Sequence, residues 1–234
     1  MFDLPPSPAS APSSSTMPRA QAQSADVLSC RPLQQTALYG RASAQMGADI
    51  RPLRLPDWQA WVVHRKVQAL GSVAMLSRGP SLINAAQARA LRPATGARHL
   101  IVHAEDATSA DALAAAGFWS IARPTPVAEL HLTGSPAEMA ARLDGKWRNR
   151  LRHALKMNVT VTQGPMSPDT GHWLFTAEAQ RAHDLGYRPM PPALVAAMSE
   201  APGAAHLFTA RRGGGVIAAM LFLRHGRRAT YQIG

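Results

Sequence analysis

Cysteine is almost absent. Cys30 stands alone among 234 residues, which excludes an internal disulfide and a cysteine-based zinc site and fits a reducing compartment. Acidic residues are few, 14 against 25 Lys and Arg, and the resulting net charge of +11 draws polyanions such as tRNA, nucleotide phosphates or anionic headgroups. Lysine is rare too, with Lys66, Lys146 and Lys156 the only ones. The basic excess is therefore arginine, which suits bidentate phosphate contacts but is also enriched by genomic base composition. Long apolar runs are missing. The longest, VIAAMLFL at 216–223, is far too short to span a bilayer. The N-terminus MFDLPPSPASAPSSSTMP has neither the positive nor the apolar region of a secretory signal. These absences point to a soluble, cytoplasmic protein without a transmembrane segment.

Familiar catalytic signatures are lacking as well. No serine lies in a G-x-S-x-G elbow, the nine histidines are scattered, and no metal-ligand spacing appears. RRGGG at 211–215 lacks the spacing and lysine of a phosphate loop and reads as a hairpin turn. Glu178, His183 and Asp184 share a helical stretch but not one face, so they read as surface residues. Tyr187 and Tyr231 close a helix and a strand, where phenols meet ligands as readily as they serve structure.

What is present is a patterned chain with 46% hydrophobic residues, enough for a real core. Residues 4–29, rich in Pro, Ser and Ala, cannot offset their ordering entropy and are expected to form a disordered tail. Beyond it, LQQTALYGRASAQMG (33–47) predicts a helix stopped by Gly47. DIRPLRL, WQAWVVHRKV and SVAMLSRGP predict strands, and ARHLIVHAE (97–105) a buried one. A helix over 83–96 is expected to end or bend at Pro93. TSADALAAAGF predicts a helix capped by Thr108 or Ser109, and 119–134 one more strand. Ser135, Pro136 and Glu138 form a capping box opening a single helix to about Met157, roughly 30 Å long. A strand, a helix ended by Gly186 and a proline-led helix follow. The chain then finishes as an antiparallel meander turning at Gly213–Gly215 and at His225-Gly226.

The sharpest local feature is LDGKWRNRLRHALK (143–156), with Lys146, Arg148, Arg150, Arg152 and Lys156 in eleven positions. On a helix, Lys146, Arg150 and His153 share one face and Arg148, Arg152 and Lys156 another. Leu143, Trp147, Leu151 and Leu155 recur every four residues and predict a buried stripe, which puts Trp147 in a core rather than under a base. The cations suit either a solvated face or an anion site, and their density favours the anion.

LDGKWRNRLRHALKMNVTVTQG, AEAQRAHDLGYRPMPPALVAAM and GGGVIAAMLFLRHGRRATYQIG together resemble the FemAB-like acyltransferases, a branch of the GNAT superfamily. The basic motif K-x-R-x-x-[LI]-R-x-A and the strand pair ending ATYQIG carry the likeness, which covers about 125–234. It implies an α+β (mixed α/β) fold of tandem GNAT-like lobes with largely antiparallel central sheets. The expected units are a tail (1–30), a first lobe (31–133) and a second lobe (134–234). It further implies transfer of an acyl or aminoacyl group from acyl-CoA or aminoacyl-tRNA to an amine acceptor. No resident cofactor is expected. Lys146, Arg148, Arg150 and Arg152 would then meet the polyanionic donor, and Tyr187 and Tyr231 the substrate. Catalytic residues are not assigned, since such chemistry needs little beyond a positioned amine and backbone donors on the carbonyl. Family members continue past the strand that ends at Gly234 with a loop and helix holding the donor's pyrophosphate. The expectation is that the second lobe is incomplete here. The rival readings are a non-enzymatic nucleic-acid-binding protein using the same helix and an inactive fragment.

Overall fold

The computed structural model describes residues 30–55, 58–79, 84–123 and 127–234; the expected tail at 4–29 lies outside them. A 3-10 turn (Leu33–Gln35) leads into α1 (Ala37–Gln45), then β1 (Asp49–Leu55), β2 (Trp58–Val67), β3 (Gly71–Leu76), α2 (Ala85–Thr95), β4 (His99–Val102) and α3 (Ala107–Ala115). The second half runs α4 (Pro136–Arg142), α5 (Gly145–Leu155), β5 (Thr160–Pro165), α6 (Trp173–Leu185), α7 (Pro192–Ser199), β6 (Ala205–Arg212), β7 (Gly215–His225) and β8 (Arg228–Ile233). Two four-stranded sheets result, ordered β1-β2-β3-β4 and β5-β6-β7-β8. Every pairing is antiparallel except β3 with β4. This is the mixed α/β arrangement the sequence predicts.

Alternation builds each sheet. Ala60 and Val62 on β2, and Ala74 and Leu76 on β3, point to one face and pack under Ala88 and Leu91 of α2 and Leu113 of α3. In the second sheet Ala205, Leu221, Leu223 and Ile233 face Leu174 and Phe175 of α6 and Val195 and Met198 of α7. Leu33 and Ala42 also belong to this second core, so the first described segment of the chain packs against β7 and β8.

The same segment is tied to the first sheet by one side chain. Gln35 is 5% exposed; its Nε2 donates to Ser77 O at 2.7 Å and Trp61 O at 3.3 Å, and its Oε1 accepts from Trp61 N at 2.9 Å. The β2–β3 ladder runs from Val67–Gly71 to Val63–Met75, so Trp61 and Ser77 lie opposite each other two residues past its end. The amide bridges the strands where they part and satisfies backbone groups that would otherwise be buried unpaired. Gly40 permits the approach: a Cβ there would lie 2.6 Å from the Trp61 ring. A second tie is ionic. Arg78 holds Glu105 through two bonds of 3.0 and 2.8 Å, and Arg228 of β8 reaches Glu105 at 3.7 Å and Glu129 at 3.0 Å.

Several expectations are corrected. α2 continues through Pro93 to Thr95, because a proline in the last turn costs one bond just before the helix stops at Gly96 in the left-handed region. α3 is capped by Asp106, whose carboxylate accepts from Ser109 N at 2.7 Å, rather than by Thr108 or Ser109. β4 is an edge strand with alternating exposure, not a buried one. No strand forms over 127–134. The helix expected from Ser135 to Met157 is two helices. The capping box is present, yet Leu143 is extended at φ −64°, ψ 144° and Asp144 starts a new helix by accepting from Lys146 N at 2.9 Å. Asp-Gly after an arginine-ended turn is an N-cap signal strong enough to restart the helix.

Candidate functional site

α5 carries the cations, and its sequence places all four predicted contacts within seven residues. Lys146, Arg150 and Arg152 are exposed and Arg148 is half-buried. Arg148 also serves the fold, since its Nη2 donates to Leu143 O at 2.8 Å and holds the break between α4 and α5. Its Nε is enclosed without a partner. Among the described residues Lys146, Arg150 and Arg152 have no ion-pair partner, so their charge is available to a ligand. The stripe expected to be buried is not: Trp147 is 62% exposed, Leu155 76%, and no residue of α5 is buried. The four-residue repeat is real, but nothing among the described residues covers it. Trp147 instead lies beneath the Arg150 guanidinium, 5.2 Å from ring centroid to Cζ. Such an exposed pair contributes about 0.5–1 kcal/mol.

Tyr187 and Tyr231 lie elsewhere, each hydrogen-bonded to a residue that lines a cavity of about 240 Å³ between α6 and the ends of β7 and β8. Its walls are Trp173, Leu174, Ala177, Val216, Ile217, Ala218, Ala219 and Ile233, with Glu178, Arg181 and Gly234 as its polar edge. Gly186, left-handed at φ 70°, ends α6 and turns Tyr187 back, so that its hydroxyl donates to Glu178 Oε1 at 2.8 Å. That hydrogen bond, with smaller help from desolvation and the Glu178 charge, raises the phenol's pKa above its usual value. Tyr187 therefore stays protonated through the neutral range.

On the opposite side a bulge sets Tyr231. Leu221 pairs with Ile233 but Phe222 pairs with Tyr231, so Gln232 is the extra residue. Without it Tyr231 and Ile233 would share a face; with it Ile233 enters the core and Tyr231 stands against Phe222 on the other side. The Tyr231 hydroxyl donates to Gly234 O at 2.6 Å, and Arg181 Nη1 donates to the same oxygen. A side chain at Gly234 would lie 2.7 Å from Ala219 O, so the close approach of these strands requires glycine. Sequence reasoning named the two phenols, read Glu178 as a surface residue and did not consider Arg181. The signal was the three-residue spacing on α6, which puts them on neighbouring positions of one face. His183 and Asp184 are exposed as expected and pair with each other at 3.3 Å.

No hydrogen bond, ion pair or ring contact joins α5 to the tyrosine cavity among the described residues, so the cations and the phenols form two separate sets. At the opposite end of β7 from the cavity, His225 is 5% exposed, and its Nε2 shares a 2.7 Å hydrogen bond with Thr230 Oγ1. Burial, with the nearby Arg228 charge, lowers its pKa to about 4, partly opposed by the Arg31 backbone.

Residues 142–234, which carry α5, the cavity and the whole second meander, match the family described as acetyltransferase (GNAT) domain. Among solved structures the chain is similar to one titled "Crystal structure of FemX", with a TM-score of 0.52, 16% identity, and coverage of 89% of this chain and 57% of that one. The chain thus spans little more than half the length of that structure, and the likeness is one of fold. No curated protein matches in sequence. The matched segment begins at Arg142, the last residue of α4, so the break at Leu143 and the basic helix both fall inside it.

Proposed function

We propose that this protein is an N-acyltransferase that moves an acyl or aminoacyl group from acyl-CoA or aminoacyl-tRNA to an amine. The observation that carries the reading is a helix of cations without ion-pair partners inside a segment matching the GNAT family. A polyanionic donor gives Lys146, Arg150 and Arg152 a use, and charge-assisted bonds to phosphate are the strong kind. Arg148 serves the same donor by fixing the start of α5. The exposed Trp147–Arg150 pair offers a flat face to a base of either donor. The units follow the same reading, with 31–133 as a first GNAT-like lobe, 134–234 as a second and 1–30 as a tail.

The reaction asks for one N–C bond to form as the donor's C–S or C–O bond breaks, while the amine's proton leaves and the departing sulfur or oxygen gains one. Tyr187 and Tyr231 hold two residues at the edge of the cavity where the amine would sit, Glu178 and Gly234, by donating their hydroxyl protons to them. The side chains orient; entropy and positioning do most of the rest. The experiment is donor binding to the full chain by acetyl-CoA and by aminoacyl-tRNA, each with the Lys146→Ala/Arg150→Ala variant. One donor should bind and lose at least tenfold affinity in the variant, with transfer to an amine seen by mass spectrometry. Equal affinity in the variant would remove the helix from the donor site. RNA binding that falls with salt, without transfer from any donor, would establish the nucleic-acid-binding reading instead.

A further inference from the structure

The cavity between α6 and the β7–β8 ends has an unusual edge for so small a space. Its walls are apolar, yet α6 delivers one carboxylate and one guanidinium to it, Glu178 and Arg181. Residues three apart on a helix stand about 5–6 Å apart at Cβ, close enough to neutralise each other. They do not, since no ion pair joins them. Glu178 takes the Tyr187 hydroxyl at 2.8 Å, a neutral partner that leaves its charge uncompensated. Arg181 takes the Gly234 carbonyl oxygen, together with the Tyr231 hydroxyl. Two donors already converge on one oxygen there, and the remaining guanidinium N–H groups have no partner among the described residues. Glu178 is half-buried, so it meets its ligand at the cavity rather than in bulk water.

We propose that this cavity takes an amphoteric acceptor, a free α-amino acid or a compact compound carrying an ammonium and a carboxylate a few ångströms apart. The ammonium lies against Glu178 and the Tyr187 oxygen, and the carboxylate against Arg181 and Tyr231. The side chain lies between Trp173 and Ile217. A volume of about 240 Å³ admits a leucine-sized molecule and excludes a folded peptide. The inference rests on the reading of the cavity as the acceptor side of an acyltransferase and names what that acceptor is. Opposite charges held apart by neutral hydrogen bonds favour a ligand that brings both charges, because a plain amine leaves Arg181 unanswered and a plain acid leaves Glu178 so.

The test needs no donor. Calorimetric titration of the full chain compares L-leucine with L-leucinamide, which lacks the carboxylate charge, with 3-methylbutylamine, which lacks the carboxyl group, and with 4-methylpentanoate, which lacks the amine. L-leucine should bind at least tenfold more tightly than each of the other three. Glu178→Gln, which can keep the Tyr187 hydrogen bond, should erase the advantage over 4-methylpentanoate and spare that over the other two. Arg181→Lys should halve or remove the preference over leucinamide. Because the four ligands are compared on the unaltered chain, an unfolded variant does not decide the matter. Amine and amide binding as well as leucine, or no leucine binding, would overturn the proposal. Leucine binding without acyl transfer from either donor would leave the ligand class standing and overturn the acyltransferase reading. Transfer to 3-methylbutylamine at the rate for leucine would do the reverse.

Discussion

Residues 127–165 and residues 166–234 belong to one stretch of chain, yet they are built in opposite ways. The later part buries Met166, Leu174, Phe175, Val195, Met198, Leu221, Leu223 and Ile233 in one core. The earlier part holds α4, α5 and β5 and contains no buried residue at all. Both are amphipathic in sequence. α6 and α5 each repeat apolar residues at helical spacing, but α6 meets a sheet and α5 meets solvent. Periodicity states which residues share a face; it does not state that anything lies against that face. The exposed part is held by local devices instead, namely the Ser135–Glu138 box, the Asp144 cap and the Arg148 bond to Leu143 O.

Substitutions can test this contrast at either end. The largest effect belongs to Phe175→Ala on α6, expected to cost about 3–5 kcal/mol because a well-packed core relaxes only in part around the cavity left behind. Urea unfolding followed by fluorescence measures it, and a loss below about 1 kcal/mol, the ordinary size for a point substitution, would mean the second core is not as dense as its burial indicates. Next comes His225. Its folded pKa of about 4 lies below the unfolded value of about 6.5, so the unfolded chain binds the proton first as pH falls. Stability is therefore complete above about pH 6.5 and declines towards about pH 4, by about 3 kcal/mol in all. His225→Gln should flatten that step in a pH series of melting curves.

Smaller effects belong to the exposed part. Asp144→Ala should cost about 1 kcal/mol, felt as faster amide exchange in the first turn of α5 and not in α6. Matching changes in both helices would show that they unfold together and that the contrast is one of surface only. Leu155→Ala should stay within about 0.5 kcal/mol, as surface changes do, and a loss of about 2 kcal/mol there would reveal a partner for the helix face and reverse the contrast.

Much of the fold was legible in the residues. The strand stretches 49–55 and 58–67, the Gly186 stop and the closing meander follow from period-two patterning and glycine placement, all local signals. The likeness carried by ATYQIG and the basic motif pointed to the GNAT family, whose model matches residues 142–234. What was hidden depends on contacts distant in sequence. The break at Leu143 required weighing an Asp-Gly restart against a continuous apolar stripe, and the stripe looked stronger. The exposure of Trp147 could not be read because burial belongs to the partner surface. Glu178 and Arg181 looked like ordinary helix polarity; only the arrival of β8 from about fifty residues away makes them an edge of a cavity. Gln35 gave no signal, since a glutamine that replaces a rung of a ladder resembles any other glutamine until the strands are in place.

The side chain of Gln35 also sets a schedule. During synthesis the turn at Leu33–Gln35 leaves the ribosome before either sheet exists. Its amide finds Trp61 and Ser77 within a few tens of residues, whereas Leu33 beside it must wait for Leu221, Leu223 and Ile233. α1 is thus anchored early on one side and stays open on the other until β7 and β8 are made, which leaves its apolar surface exposed through that interval. Chain growth, more than the finished contacts, is where this protein is most vulnerable to chaperone capture and misassembly.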